Sequence, residues 1–539
     1  MSLVKRLFRG LPGEEVEELW QVPLAPVGEG RLSIGLFVEE KLAAYCWPGR
    51  EFVLSNGAAR LKVDRGYFFP LSFMTFVYQS YGYTFVLETE FQRIGFYKDE
   101  TGMQLELTYG PEVEEARIRV YRHKPDWHDG LCLYRAWCRE HLPRNRSRAL
   151  KGRFHIKRYF FHQELCRRHV FADDGSCRLL QQWQEDQQLA GVDTLLLFDH
   201  AFQMEGQIRC GNRSPLAGFS DLDGYLVQAG KLREHGALLF AYFDPYLLDG
   251  SSAMACRYGE KLAIKNALGR TFHNWRIEDW HPCLSDKEWQ RASAAYVKEA
   301  VEGLQADGVY FDEIGNGTQY TCYDSQHGHP RFRQVAAESR YTAQCLAAVP
   351  GSLAMSEFPM VDRMAVNFDG VLNDTASALD IYRFALPEIK CFRMVNCDYP
   401  LGNAPFAVNR AFFNGEGLWL DNDLRDQDWY PSEILQRINA QYQVLKGYEA
   451  YFEAEEMRPL SEESTESVLV NRFGRVDDCV YTVLNVTQTE QIVLMPCNGM
   501  AVEPLYRGPG CRIERQAERI RIRLMPGEVC AFRSEWRAL

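Results

Sequence analysis

No stretch of this chain stays apolar for the length that crosses a bilayer, which argues against a membrane-spanning helix. The opening MSLVKRLFRG has basic residues but no apolar core of signal-peptide length, so a cytoplasmic location is expected. No CxxC pair occurs among the 16 cysteines, whose scatter fits buried free thiols in a reducing compartment better than a disulfide framework. Sequons such as Asn316-Gly-Thr318 then carry no glycosylation meaning. Surplus positive charge is missing as well. A net charge of -12 and a pI near 5.6 exclude partners that need a basic surface, namely nucleic acid and anionic membrane. Neither a repeat of solenoid length nor a low-complexity linker is present.

What is present is a globular composition, 46% hydrophobic and 25% charged, spread over 539 residues. That length exceeds one ordinary core, so two or three domains are expected. Aromatic residues make up 13%, which suits a protein that stacks flat faces such as sugar rings. A neutral carbohydrate is therefore the expected partner, and no cofactor is expected.

Residues 1–125 alternate as strands do, at 31–38, 51–54, 59–63, 84–88, 104–108 and 116–121, with turn signals at Asn56-Gly57 and Glu100-Thr-Gly102. This spacing predicts an N-terminal β-sandwich. Over 126–149 the pattern becomes helical: Pro125-Asp126-Trp127 opens it, Leu131, Tyr134, Cys138 and Leu142 share a face, and Pro143 stops it.

From about residue 150 an apolar strand ending in polar residues recurs, each time followed by a helical stretch. The strands read as 154–161, 194–198, 238–243, 308–311, 353–355, 370–372, 392–395 and 418–420. Helices are expected at 178–190, 222–235, 288–305, 334–349 and 434–448. Eight such units predict one (β/α)8 TIM barrel over 150–455. Strands at 467–470, 479–484, 491–494, 520–525 and 529–532 predict a small C-terminal antiparallel β-sandwich over 465–539. The expected class is α/β, a TIM barrel flanked by two β-sandwiches.

The chemistry gathers where the barrel strands stop. In Asp307-Gly-Val-Tyr-Phe-Asp-Glu-Ile-Gly315 a buried strand ends on two carboxylates, which are costly there unless they have work to do. The other ends carry Asp199-His200, Asp244, Glu357, Asn373-Asp374, Asn396-Cys-Asp398 and Asp421-Asn-Asp423. Mutual repulsion of so many carboxylates on one barrel face raises pKa values and costs stability, which points to a function. Two carboxylates facing each other across a sugar are the minimum apparatus for glycoside hydrolysis. Asp312, short and fixed at the strand end, suits the nucleophile. Glu357, in Ala354-Met-Ser-Glu-Phe-Pro359, lies among apolar residues that favour its protonated form and suits the acid. Asp199, His200, Asp244, Glu313, Asp374, Asp398 and Trp419 are expected to contact substrate. Trp275, Trp280 and Tyr320 are further candidates for stacking on sugar.

The run 308–315, the loop Thr321-Cys-Tyr-Asp-Ser-Gln-His-Gly-His-Pro330, Trp280-His-Pro-Cys283 and Asp126-Trp-His-Asp-Gly-Leu-Cys-Leu-Tyr-Arg-Ala-Trp137 resemble a family of bacterial barrel proteins catalogued as glycoside-hydrolase-like domains of unknown function. More distantly, Asp on strand four with Glu on strand five is similar to retaining α-glycosidases of the α-amylase kind and to endo-α-N-acetylgalactosaminidases. That resemblance implies Asp312 as nucleophile, Glu357 as acid/base and Asp398 as the acid gripping sugar hydroxyls. Cys397 stands where amylases carry histidine, and Tyr310 where they carry arginine.

Cys322, Asp324, His327 and His329 have the chemistry of zinc ligands, but no second pair stands at zinc-site spacing, so no metal is expected and His327 and His329 read as sugar contacts. The function expected is a glycoside hydrolase. The alternatives are a non-catalytic carbohydrate-binding barrel and a metal-dependent hydrolase or deacetylase.

Overall fold

The computed structural model describes residues 2–6, 16–24, 30–37, 40–66, 68–100, 102–142, 149–161, 170–198, 221–272, 279–315, 320–329, 332–333, 335–373, 377–395, 404–421, 423–497 and 500–536. None of its helices is long and apolar enough to cross a membrane.

At the N-terminus two sheets face each other. One orders Ser2–Arg6, Gly30–Phe37, Met103–Tyr109, Arg93–Lys98 and Ala59–Asp64. The other orders Val16–Pro23, Glu115–His123, Gly82–Leu87, Phe73–Tyr78, Leu42–Pro48 and Phe52–Ser55. Glu115–His123 alternates buried and half-buried residues, the period of two that makes a half-covered strand legible. Phe73–Tyr78 is buried throughout, because the helix Trp127–His141 covers the face that would otherwise meet solvent. It shows no alternation, and the sequence reading passes over it.

Trp127–His141 starts where Asp126 accepts the His128 N–H at 3.0 Å, a capping bond worth about 1 kcal/mol. Its Tyr134 stacks on Phe73 with ring centroids 4.3 Å apart, and its Gly130 sits so close to Thr84 and Thr75 that a Cβ would collide with both hydroxyls. On the barrel side Tyr134 Oη donates to Asp362 at 2.6 Å. The same carboxylate accepts the Ser72 N–H at 2.8 Å and pairs with Arg65 at 3.0 Å. One buried carboxylate thus joins sandwich, helix and barrel.

Eight parallel strands close the barrel: His155–Phe160, Thr194–Phe198, Leu238–Phe243, Gly308–Phe311, Leu353–Ser356, Gly370–Asn373, Lys390–Met394 and Gly417–Leu420. Each agrees with its expected range to within two residues at either end. Ile156, Leu196, Phe240, Tyr242, Tyr310, Met355, Leu372, Phe392 and Trp419 fill the interior, so the barrel is packed and only its C-terminal rim is open to chemistry. Among the described helices of ten residues or more, two lie outside the expected set. Ala253–Leu262 belongs to a long insertion after strand three. Ala404–Asn414 packs against barrel strands and the C-terminal sheet, with most of its residues buried.

Beyond the barrel, Met457–Arg458, Val468–Arg475, Asp478–Asn485, Val529–Glu535 and Ala501–Arg507 form one sheet, and Gln491–Pro496, Arg519–Leu524 and Arg512–Gln516 a second. Arg437 pairs with Glu528 at 2.6 Å, and Thr482 Oγ1 donates to the Phe413 carbonyl at 2.7 Å, tying the sheets to the barrel.

Candidate active site

Strand four delivers Asp312 to the barrel rim, where its N–H still donates to the Phe243 carbonyl of strand three at 2.9 Å. The chain then turns sharply. Glu313 adopts φ +54°, a left-handed conformation that costs an ordinary L-residue roughly 1 kcal/mol. Gly315 follows at φ +98°, where a Cβ would lie 2.7 Å from the Phe358 carbonyl. This pair of turns lets the Glu313 N–H donate to Glu357 Oε2 at 2.8 Å, while the Glu357 N–H donates to the Phe311 carbonyl at 3.1 Å. Strands four and five therefore hold their two acids from backbone. The Glu357 carboxyl lies within hydrogen-bonding reach of Asp312.

The two acids have different surroundings. Burial raises the pKa of Asp312, but the hydroxyls of Tyr242 and Tyr310 donate to it, and the Arg158 guanidinium opposes the shift. Burial also raises Glu357, and there Asp312, Glu313 and Asp244 all add repulsion, so Glu357 is driven well above the carboxylate range. Glu357 keeps the shared proton, and Asp312 holds the charge. Asp244, buried at the end of strand three, is likewise pushed well up, by burial and then by Glu313 and Asp312. Arg158 of strand one is held by Asp421 of strand eight through two contacts of 2.5 Å.

Asp244, Asp312, Glu313 and Glu357 thus converge as expected. Trp280 faces elsewhere: it pairs with Leu248 through backbone and packs on Gly259, whose Cβ would lie 2.5 Å from the indole nitrogen. Trp419 is 2% exposed, its ring on Tyr310 and its Nε1 donating to Asp421 at 2.8 Å, so its face is turned into the barrel interior. Asp199, His200, Trp275, Asp374 and Asp398 lie outside the described residues.

The loops after strands three and four build one wall. Tyr320 Oη donates to Glu313 at 3.4 Å, and its ring meets His281 at 4.1 Å and Tyr246 at 4.9 Å. His281 is fully buried, and neither of its ring nitrogens has a hydrogen-bond partner among the described residues. Burial lowers its pKa to about 3, so the ring is neutral. It lies in Trp280-His-Pro-Cys283, where no spacing with other polar residues singles it out. His327 and His329 have two thiols as neighbours. With Cys322 and Cys283 they form a group whose ligand atoms all lie within 4.8 Å of one another.

A family model described as a domain of unknown function, DUF6259, matches residues 228–332, the stretch holding strand four and both of these loops. No curated protein matches the chain. Among solved structures, a GH36 α-galactosidase from Geobacillus stearothermophilus is similar at 11% identity and TM-score 0.63, covering 94% of this chain and 76% of that one. An α-galactosidase from Lactobacillus brevis gives 11% identity and TM-score 0.62, over 94% and 75%. An α-amylase from Geobacillus thermoleovorans gives 8% identity and TM-score 0.51, over 72% and 99%. At such identities the likeness is one of fold. Part of the chain is thus similar to DUF6259, and its barrel shares its fold with solved α-galactosidase and α-amylase structures.

Proposed function

We propose that this protein is a retaining, exo-acting α-glycosidase that hydrolyses a small oligosaccharide. The observation that carries the reading is the pair Asp312 and Glu357, buried at adjacent strand ends within hydrogen-bonding reach and polarised into one carboxylate and one acid. Inverting enzymes separate their carboxyls by roughly 6.5–9.5 Å to hold a water between them, whereas retaining ones stand about 5–5.5 Å apart. The closeness of the two acids on neighbouring strand ends supports the retaining class.

Asp312 attacks the anomeric carbon as Glu357 gives its proton to the departing glycosidic oxygen. The resulting glycosyl ester on Asp312 is hydrolysed by a water that Glu357, now a carboxylate, deprotonates. Two inversions return the original anomer. Tyr242 and Tyr310 keep Asp312 charged and aimed by donating to it. Asp244 and Glu313 are suited to accept from sugar hydroxyls, since buried carboxyls need partners. The Geobacillus stearothermophilus α-galactosidase appears in complexes with raffinose and stachyose, which makes α-galactosides the first substrates to try.

The test is release of chromophore from a panel of α- and β-linked aryl glycosides, and of galactose from raffinose, by the wild type and by Asp312→Asn. Hydrolysis of an α-glycoside by the first and not by the second supports the reading. Hydrolysis that survives the substitution, or that is confined to β-glycosides, sinks it. Binding without turnover by the folded wild type would favour the carbohydrate-binding alternative.

A further inference from the structure

The group formed by Cys283, Cys322, His327 and His329 is not needed for the chemistry above. Cys283 comes from the loop after strand three, and the other three residues from the loop after strand four. Cys322 Sγ lies 3.3 Å from His327 Nδ1, and Cys283 Sγ lies 3.3 Å from His329 Nε2. A tetrahedral zinc ion with bonds of about 2.3 Å to sulfur and about 2.0–2.1 Å to nitrogen places neighbouring S and N ligands roughly 3.5 Å apart. The observed spacing matches that edge.

The surroundings suit a metal as well. His327 Nε2 lies 2.7 Å from the Lys261 carbonyl, a bond the ring makes by donating, which leaves the Nδ1 lone pair directed at the group. Both sulfurs are fully buried, and Ile264 and Tyr320 pack around them, so water has little access to displace a ligand. Lys265 pairs with Asp324 at 2.6 Å, and the Tyr323 N–H donates to the Lys265 carbonyl at 2.8 Å, so the two loops meet at this point by backbone and by charge.

The geometry points to a structural zinc site with Cys283, Cys322, His327 and His329 as its ligands. Two sulfurs and two imidazoles are a donor set that selects zinc among the available divalent ions. Four protein ligands leave no open position for a substrate or an activated water, so the ion clamps and does not catalyse. What it clamps is the loop that carries Tyr320, two residues before Cys322, against His281 and Glu313. The expected absence of metal came from finding no second ligand pair beside the 322–329 loop; the missing ligand stands in the preceding loop instead.

The test is metal content of the full-length protein purified without added metal or chelator, measured by plasma mass spectrometry, with a cobalt(II) exchange read by absorption. One zinc per chain is expected, together with a cobalt spectrum showing tetrahedral ligand-field bands and thiolate charge transfer. Cys283→Ser and Cys322→Ser should each lower zinc content at least tenfold, and Asp324→Asn should keep it. Wild-type protein that takes up neither zinc nor cobalt under reducing conditions overturns the proposal. So does a cobalt spectrum without thiolate charge transfer, or a Cys283–Cys322 disulfide found by mass spectrometry in the freshly purified chain.

Discussion

The Glu313 N–H donates to Glu357 Oε2 at 2.8 Å, and Glu313 can do so only because it sits at φ +54°. Backbone strain at the end of strand four is thereby converted into the aim of a carboxyl on strand five. Glycine adopts this conformation without penalty, whereas alanine does not. Glu313→Gly should therefore be more stable than Glu313→Ala by about 1 kcal/mol, a difference read from paired denaturant melts. Equal stability of the two variants would show that the turn is not strained.

Glu357→Gln keeps the shape and the backbone hydrogen bond but removes the transferable proton. Turnover of a substrate with a poor leaving group, such as raffinose, should fall by about 10²–10⁴-fold. Aryl glycosides whose phenols leave unaided should lose much less in the first step. Equal losses on both substrate types would move the acid role to another carboxylate of the same cluster, such as Asp244.

Asp362 is a buried carboxylate shared by the sandwich, the helix Trp127–His141 and the barrel, and Arg65 is buried against it. Arg65 also pairs with Glu90 at 2.9 Å, so removing Asp362 takes away one of its two charged partners and leaves the buried Ser72 and Tyr134 donors unmet, at a cost of about 1–3 kcal/mol. Asp362→Ala should show this loss in chemical denaturation. Asp362→Asn, which keeps the hydrogen-bonding shape, should recover part of it, because the amide accepts hydrogen bonds but does not replace the charge facing Arg65.

How much of this was legible before the structure follows from how each element is exposed. The barrel strands could be read because a parallel strand covered on both sides is a continuous apolar run, and each ends on a polar residue at the rim. Asp312 and Glu357 stood out for the same reason. Phe73–Tyr78 could not be read as a strand, since burial on both faces removes the alternation. The place of Cys283 beside Cys322, His327 and His329 was hidden because these partners arrive from another loop, and sequence spacing carries no signal for a contact that the barrel itself creates. Trp419 was placed at the rim by its strand, yet its ring turns inward onto Tyr310.

Asp193, buried before strand two, accepts the Phe154 N–H at 2.9 Å and is pushed up to about 6, first by its burial. A folded-state pKa above the unfolded value means that the folded chain binds this proton more tightly. The resulting stability is complete below about pH 4 and is lost as pH rises through about 6. Asp193→Asn should remove this component, so that stability changes less between those limits than in the wild type. A variant with an unchanged slope of stability against pH would assign the titration elsewhere.

In the proposed mechanism Tyr242 and Tyr310 set the acid limit of catalysis. Their hydroxyls donate to the Asp312 carboxylate, and hydrogen bonds to a charged form stabilise it and lower its pKa. Tyr242→Phe removes one donor and leaves burial in place, so the pKa of Asp312 rises. The acid limb of kcat/KM, which reports the ionisation of the nucleophile in the free enzyme, should then move to higher pH. The alkaline limb belongs to the Glu357 proton. With less negative charge on Asp312 near neutrality, Glu357 loses part of the repulsion that holds its proton, so this limb should stay in place or move slightly down. A profile narrowed from the acid side carries the signature of Asp312 as the charged partner. Movement of the alkaline limb alone would reverse the two roles.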